Sequence, residues 1–420
     1  NHIFKNQLFG LAITELTALM SRRSLYCSKI ANGKFSICEA FDTPEGNIQF
    51  GRVEHIWEDG RCLYCGASKD NYERGGELES HAYAFIHTVK PEEISNMKFD
   101  VIIGNPPYQL SDKGGEGYST IPLYHHFIEQ AIKLRPRYIS MIVPARWFSG
   151  GKGLDNFRDR MLHDKRLSVI HDFPETADCF PGLNIRGGVC YFLWASDHTG
   201  ECTVYNHMGS SCDSVKRPLL EPGLSTFIRH NKAISIVRKV RAQMEPTMDD
   251  IVKSRNQFGI PSNYVSYSKK PTASRTVNLY RGDRSSRDIS DRIGYINSSD
   301  VVKNKDLIQC IKVIVSKASP GGDEYPHAVL TRPIIADKNS ACTETYLVVA
   351  VLQTITEARN MVSYMSTRFF RFMVALIKNT QNISKGCFRL VPQNSVNTFW
   401  TDEKLYKKYG LTKDEIAFIE

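Results

Sequence analysis

Long hydrophobic runs are missing from this sequence: none approaches the roughly 18 residues a membrane-spanning helix needs, and Tyr346 to Leu352 is about the longest. A secretory signal is missing too. The chain opens Asn1-His2-Ile3-Phe4-Lys5 without an initiating Met, and so reads as a processed chain or a fragment. Lacking that signal, the 11 cysteines are expected in a reducing cytoplasm, where paired cysteines mean metal more often than disulfide. Internal repeats and low-complexity tracts are also absent, which removes solenoid and linker-like architectures.

What is present is ordinary for a soluble globular chain: 420 residues, 41% hydrophobic and 24% charged, enough for two or three domains with their own cores. The net charge of +9 is unevenly placed, because Arg229 to Arg292 holds 14 basic against 6 acidic residues. A clustered excess of that kind fits a polyanionic partner, or else a solvated basic face. Lys269, Lys270, Arg275 and Arg281 are its candidate contacts to such a polyanion, most often a nucleic acid.

Short apolar runs alternate with helical periodicity over the first half. Strands are expected at Leu8 to Ile13, Ala82 to Ile86, Phe99 to Gly104, Tyr138 to Val143, Leu167 to Phe173 and Val189 to Trp194, with helices near 123–134 and 154–161. This alternation predicts an α/β fold with a doubly wound, mostly parallel, Rossmann-like sheet. In such sheets ligands bind beyond the carboxyl ends of the strands. Residues 27–81, rich in Gly, Cys and turn formers, read as an insertion. Past about Gln243 the alternation fades into loops, short strands and one long helix at 357–378. Its Met361, Met365, Phe369, Phe372, Met373 and Leu376 read as core. The expected division is therefore 1–242 and 243–420, the second part α+β.

The third strand ends in Gly104-Asn105-Pro106-Pro107-Tyr108. A side-chain amide oxygen at Asn105 and the main-chain carbonyl of Pro106 can accept both N–H bonds of an exocyclic amine. That draws the nitrogen toward tetrahedral geometry and localises its lone pair, by preorganised dipoles and without an ionised base. Pro107 keeps the segment out of any strand ladder, and Tyr108 offers a π face to a base extruded from a duplex.

With this turn the sequence resembles the adenine-specific amino-methyltransferases of bacterial restriction–modification systems. The resemblance implies S-adenosylmethionine as cofactor, double-stranded DNA as substrate, a restriction endonuclease as partner, and a target-recognition role for residues 243–420. It also implies that Glu15, after the first strand, binds the cofactor ribose, although an acid there equally suits a helix N-terminus. An adenine-contacting acid would follow the next strand, where the sequence instead reads His87-Thr88-Val89-Lys90. The family's glycine-rich cofactor loop has no counterpart before Leu8, and Gly150-Gly151-Lys152-Gly153 and Gly321-Gly322 come too late in the order. The chain is thus expected to begin after that loop. Pro144-Ala145-Arg146-Trp147-Phe148 matches a cleft-lining segment or supplies ordinary core aromatics, and Phe180 is a candidate for the second face of the flipped base. Thr380-Gln381-Asn382 and Phe388 to Glu403 resemble the end of a target-recognition region.

Cys62-Leu63-Tyr64-Cys65-Gly66 is a zinc-knuckle-like turn. Two more ligands are expected from Cys27, Cys38 and His55, giving a structural zinc in the insertion; the alternative is reduced cysteine packed as a small hydrophobe. Other functions compatible with the sequence are RNA, protein-glutamine or cytosine amino-methylation. A DNA-binding specificity protein, catalytically inactive without the cofactor loop, is a further one.

Overall fold

The computed structural model describes residues 1–38, 40–73, 83–94, 98–110, 121–185, 187–282, 292–318, 329–378 and 382–420. They form two units, 1–218 and 219–420. The division comes before helix Asn231–Ala242 because that helix buries Ile234, Ile236, Val237 and Val240 in the core of the second unit. Among the described residues no helix is long and apolar enough to cross a membrane.

The first unit is built on a six-stranded sheet in the order Ser211–Arg217, Cys202–Met208, Leu167–Phe173, Val189–Ala195, Tyr138–Pro144, Val101–Gly104. Two neighbouring pairs are parallel and the other three antiparallel, so the α/β class holds while the sheet is mixed rather than mostly parallel. The reason is Val189–Ala195. It runs antiparallel to both neighbours, reached from Phe173 through a connection that carries only the short turn Thr176–Asp178 instead of a helical crossover. Its side chains are buried on both faces, as a continuous apolar run predicts. Helix Tyr124–Lys133 seats Tyr124, Phe127, Ile128 and Ala131 inward at helical spacing, and helix Asp155–His163 does so with Phe157, Met161 and Leu162.

Two expected strands differ. Leu8 to Ile13 shortens to Gly10–Leu11 and pairs in parallel with Ile48–Gln49 outside the large sheet. Arg22 secures that pairing by donating from Nε and Nη2 to the Ile48 carbonyl, at 3.0 and 2.8 Å. Residues 83–86 turn instead of extending, since the Ile86 and His87 amides both donate to the Tyr83 carbonyl; Ala82 lies outside the described residues.

The second unit carries two three-stranded sheets, one of Val277–Tyr280, Ile293–Ile296 and Ser340–Cys342, the other of Ile311–Ser316, Ile334–Ala336 and Tyr346–Leu352. The long helix is two helices, Ile355–Ser366 and Arg368–Ala375. Thr367 between them is extended, with ψ 151°, and its hydroxyl accepts from the Phe370 amide as the cap of the second helix. Met361, Met365, Phe369, Phe372 and Met373 are buried, as core packing requires.

Candidate active site

The edge strand Val101–Gly104 aligns Gly104 with Met141, and the ladder stops there. Pro106 and Pro107 have no N–H to continue it, so the chain leaves the sheet as a rigid turn. Asn105 is exposed, Pro106 buried, and Pro107 and Tyr108 half-buried. The Tyr108 carbonyl accepts from the Leu123 amide at 3.1 Å and the Leu110 amide donates to Ile121 at 3.0 Å, which anchors the far end of the turn to the start of helix Tyr124–Lys133.

A second loop, between strands Leu167–Phe173 and Val189–Ala195, leaves the sheet at the same end. Phe180-Pro181-Gly182-Leu183 turns with Gly182 at φ +84°, the position that a Pro-Gly turn reserves for glycine. The Leu183 amide donates to the Phe180 carbonyl at 3.1 Å, and buried Thr176 clamps the loop base through both polar atoms of Ile185.

These loops meet in a cleft of ≈ 460 Å³ that Asn105, Pro106, Pro107, Tyr108 and Phe180 all line, together with Ile13, Tyr83 and Leu183. Its size is that of ordinary ligand sites, about 300–1,000 Å³. Burial, with Cys179 and Cys190 nearby, pushes the Tyr108 phenol up to about 12, so the ring enters the cleft neutral. Trp147 and Phe148 are core aromatics: Trp147 is fully buried and its indole N–H donates to the Cys190 sulfur at 3.4 Å. Tyr83, Ile13 and Leu183 escaped the sequence reading. Only Leu183 had a visible signal, the Pro181-Gly182 turn that brings it round beside Phe180.

Glu15 is the exposed first residue of helix Glu15–Tyr26, capped by Thr14, two positions beyond cleft-lining Ile13. In the second unit Lys269 and Lys270 are exposed, and Arg275 and Arg281 flank strand Val277–Tyr280 at its two ends. The Arg281 guanidinium lies over the Tyr267 ring at 4.4 Å. Arg284 and Arg287 of the basic stretch lie outside the described residues, as do Gly321, Gly322, Thr380 and Gln381.

The expected metal ligands separate into two places. Cys27 is exposed at a helix end with φ 59°, and Cys38 is buried with Tyr26, Ala31, Phe41 and Ile48. Neither joins Cys62 and Cys65. Those two meet His55, the third expected candidate, and His87, the four ligand atoms lying within 4.8 Å of one another. In the sequence His87 stands only where the family resemblance places an adenine-contacting acid.

Residues 6–180 match the family described as Eco57I restriction-modification methylase. The chain resembles the restriction–modification adenine methylases. An uncharacterized adenine-specific methylase of Mycoplasma pneumoniae is 37% identical over 247 residues, 52% of this chain and 58% of that protein. The type II restriction enzyme and methyltransferase RM.Eco57I of Escherichia coli is 29% identical over 107 residues, 21% of this chain and 10% of that one. This chain therefore spans little more than half of one curated relative and a tenth of the other. Among solved structures, the DrdV–DNA complex aligns over 97% of this chain and 51% of its own at 11% identity and TM-score 0.39, too distant to bear on the argument. The methylase match includes the Asn105 turn and ends at Phe180, the two sides of the cleft.

Proposed function

We propose that the chain is the catalytic and DNA-contacting part of a site-specific DNA adenine methyltransferase of a restriction–modification system. The observation that carries this reading is the single cleft lined by Asn105, Pro106, Pro107, Tyr108 and Phe180. It combines two hydrogen-bond acceptors with two aromatic rings, the complement of a planar base bearing an exocyclic amine.

In this reading the target adenine leaves the duplex and enters the cleft, with Tyr108 and Phe180 against its faces. The Asn105 amide oxygen and the Pro106 carbonyl accept the two amine N–H bonds, which raises the nucleophilicity of N6. The N6–methyl bond forms as the methyl–sulfur bond breaks, and the surplus proton then leaves the methylated nitrogen for water. No residue needs to ionise, in keeping with the neutral Tyr108.

Cleft-lining Ile13 and the helix that starts two residues after it fit a methyl donor. Ile13 gives an apolar wall, Glu15 supplies a carboxylate suited to ribose hydroxyls, and the aromatic lining suits a sulfonium cation. S-adenosylmethionine, when bound, supplies the methyl group. Lys269, Lys270, Arg275 and Arg281 contact DNA phosphates in this scheme, residues 219–420 read the target sequence, and an endonuclease acts on the same site in its unmethylated form. The test is methylation of duplex DNA by the native protein and by its Asn105→Ala variant. A variant as active as the parent would remove the assigned role of the turn.

A further inference from the structure

We propose that His55, Cys62, Cys65 and His87 bind one zinc ion in a closed tetrahedral site that fastens the Cys62–Cys65 knuckle to the Tyr83–His87 turn. The site keeps Cys62, Cys65 and His55 from the candidates legible in sequence, drops Cys27 and Cys38 and adds His87, and it stands independently of the methylation reading.

Local backbone chemistry brings the first three ligands together. Trp57–Glu58 and Arg61–Cys62 form a hairpin whose two connecting residues, Asp59 and Gly60, both have positive φ, the Asp-Gly turn that matches strand twist. His55 precedes the hairpin and Cys62 ends it. The chain then doubles back, the Gly66 amide donating to the Cys62 carbonyl at 2.9 Å and the Cys62 amide to Ala67 at 2.8 Å, with Gly66 at φ +69°. Both sulfurs are thereby held on the same side of the knuckle and buried.

His87 arrives from a separate segment. Its Nδ1 lies 2.8 Å from the Tyr83 carbonyl, which can only accept, so Nδ1 carries the proton and Nε2 presents a lone pair. A backbone carbonyl behind a ligating imidazole is the usual orienting partner in metal sites. Gln130 holds the segment in place by donating from Nε2 to the carbonyls of Phe85, at 3.1 Å, and Thr88, at 2.6 Å.

The spacing fits a tetrahedral ion. With Zn–N of about 2.0–2.1 Å and Zn–S of about 2.3 Å, a tetrahedron has N–N edges of about 3.4 Å and N–S edges of about 3.6 Å. His87 Nε2 lies 3.2 Å from His55 Nδ1, and Cys65 Sγ lies 3.6 Å from the same nitrogen. Packing of reduced thiols as small hydrophobes requires no such convergence of imidazole nitrogens. Two thiolates and two neutral imidazoles balance a divalent charge, and a set with no oxygen donor disfavours calcium and magnesium. Four protein ligands leave no open position, which marks a structural rather than a catalytic ion. Cys62 and Cys65 share one buried cluster with Leu110 and pack near Tyr83, and both of those residues also line the cleft. The ion therefore braces the part of the cleft wall that Tyr83 and Leu110 form.

The test is elemental analysis of the full chain purified without a histidine tag, with X-ray absorption at the zinc edge. One zinc per chain with two sulfur and two nitrogen neighbours is expected. Cys62→Ser and His87→Ala should each cut zinc content at least about tenfold, whereas Cys27→Ser should keep it. Removal of zinc by chelator should raise amide exchange at residues 55–67 and 83–88 and leave strands Leu167–Phe173 and Val189–Ala195 protected. A wild-type chain that stays metal-free after growth and purification with added zinc would overturn the proposal, as would full zinc content in Cys62→Ser or a Cys62–Cys65 disulfide in its place. Because the wild-type stoichiometry and ligand count decide the matter alone, a variant that fails to fold does not shelter it.

Discussion

Tyr108 and Phe180 line one cleft from two different loops, the first following edge strand Val101–Gly104 and the second preceding strand Val189–Ala195. Each loop is stiffened by its own prolines and by hydrogen bonds at its base, so the two rings are presented without support from a ligand.

Both rings should therefore contribute to base binding. Tyr108→Ala and Phe180→Ala are each expected to cost about 1–3 kcal/mol of stacking. Tyr108→Phe should cost little, since the neutral phenol serves as a face. Fluorescence titration with 2-aminopurine at the target position measures this, and a double-mutant cycle should show the two rings coupled. Wild-type affinity in both alanine variants would show that the cleft does not hold the base.

Asn105→Ala should lower the methyl-transfer rate by about a hundredfold, equivalent to about 3 kcal/mol, by analogy with removal of one preorganised hydrogen-bonding group in an active site. Asn105 is exposed, so the thermal midpoint should not change. Single-turnover rates with labelled cofactor, alongside calorimetry, separate the two effects.

The Asn105–Tyr108 turn was legible because its signals are local. An apolar strand, a halt imposed by two prolines and an aromatic residue require no knowledge of distant partners. Phe180 was legible only through the family resemblance, from its place ahead of Gly187-Gly188. The order of the strands was not, because the antiparallel insertion of Val189–Ala195 depends on which neighbours bury its two faces. His87 escaped for the same reason, since the segment carrying it is placed by the Gln130 side chain from another helix. The break at Thr367 was hidden because the apolar period continues through it while one hydroxyl caps the second helix.

Acid should weaken the first unit through His125. Burial, with His126 and Arg160 nearby, lowers its pKa from 6.5 to about 3, and its Nδ1 is buried with no hydrogen-bond partner among the described residues. Above pH 6.5 neither folded nor unfolded chain holds the proton. Below it the unfolded chain takes one and the folded chain refuses it until about pH 3, so stability falls as pH drops across that window. Urea midpoints measured from pH 7 to pH 4 should decline, and His125→Gln should flatten the decline. An unchanged slope in that variant would assign the acid sensitivity elsewhere.

DNA affinity should depend steeply on salt. If the basic stretch neutralises five or six phosphates, log K against log salt has a slope of roughly −5. Replacing Lys269, Lys270 and Arg275 together with Ala should reduce the magnitude of that slope by about 2–3, and titrations of labelled duplex across a salt series check it. A slope unchanged by the triple substitution would move the phosphate contacts to other residues.

The most direct measurement is the identity of the methylated product. Duplex DNA incubated with the native protein and isotopically labelled S-adenosylmethionine, then digested to nucleosides and resolved by mass spectrometry, should yield labelled N6-methyladenine, and the Asn105→Ala variant should yield about a hundredth as much. Label found in N4-methylcytosine, in RNA or in a protein glutamine, or absent from every product of a protein that binds the cofactor, would contradict the account.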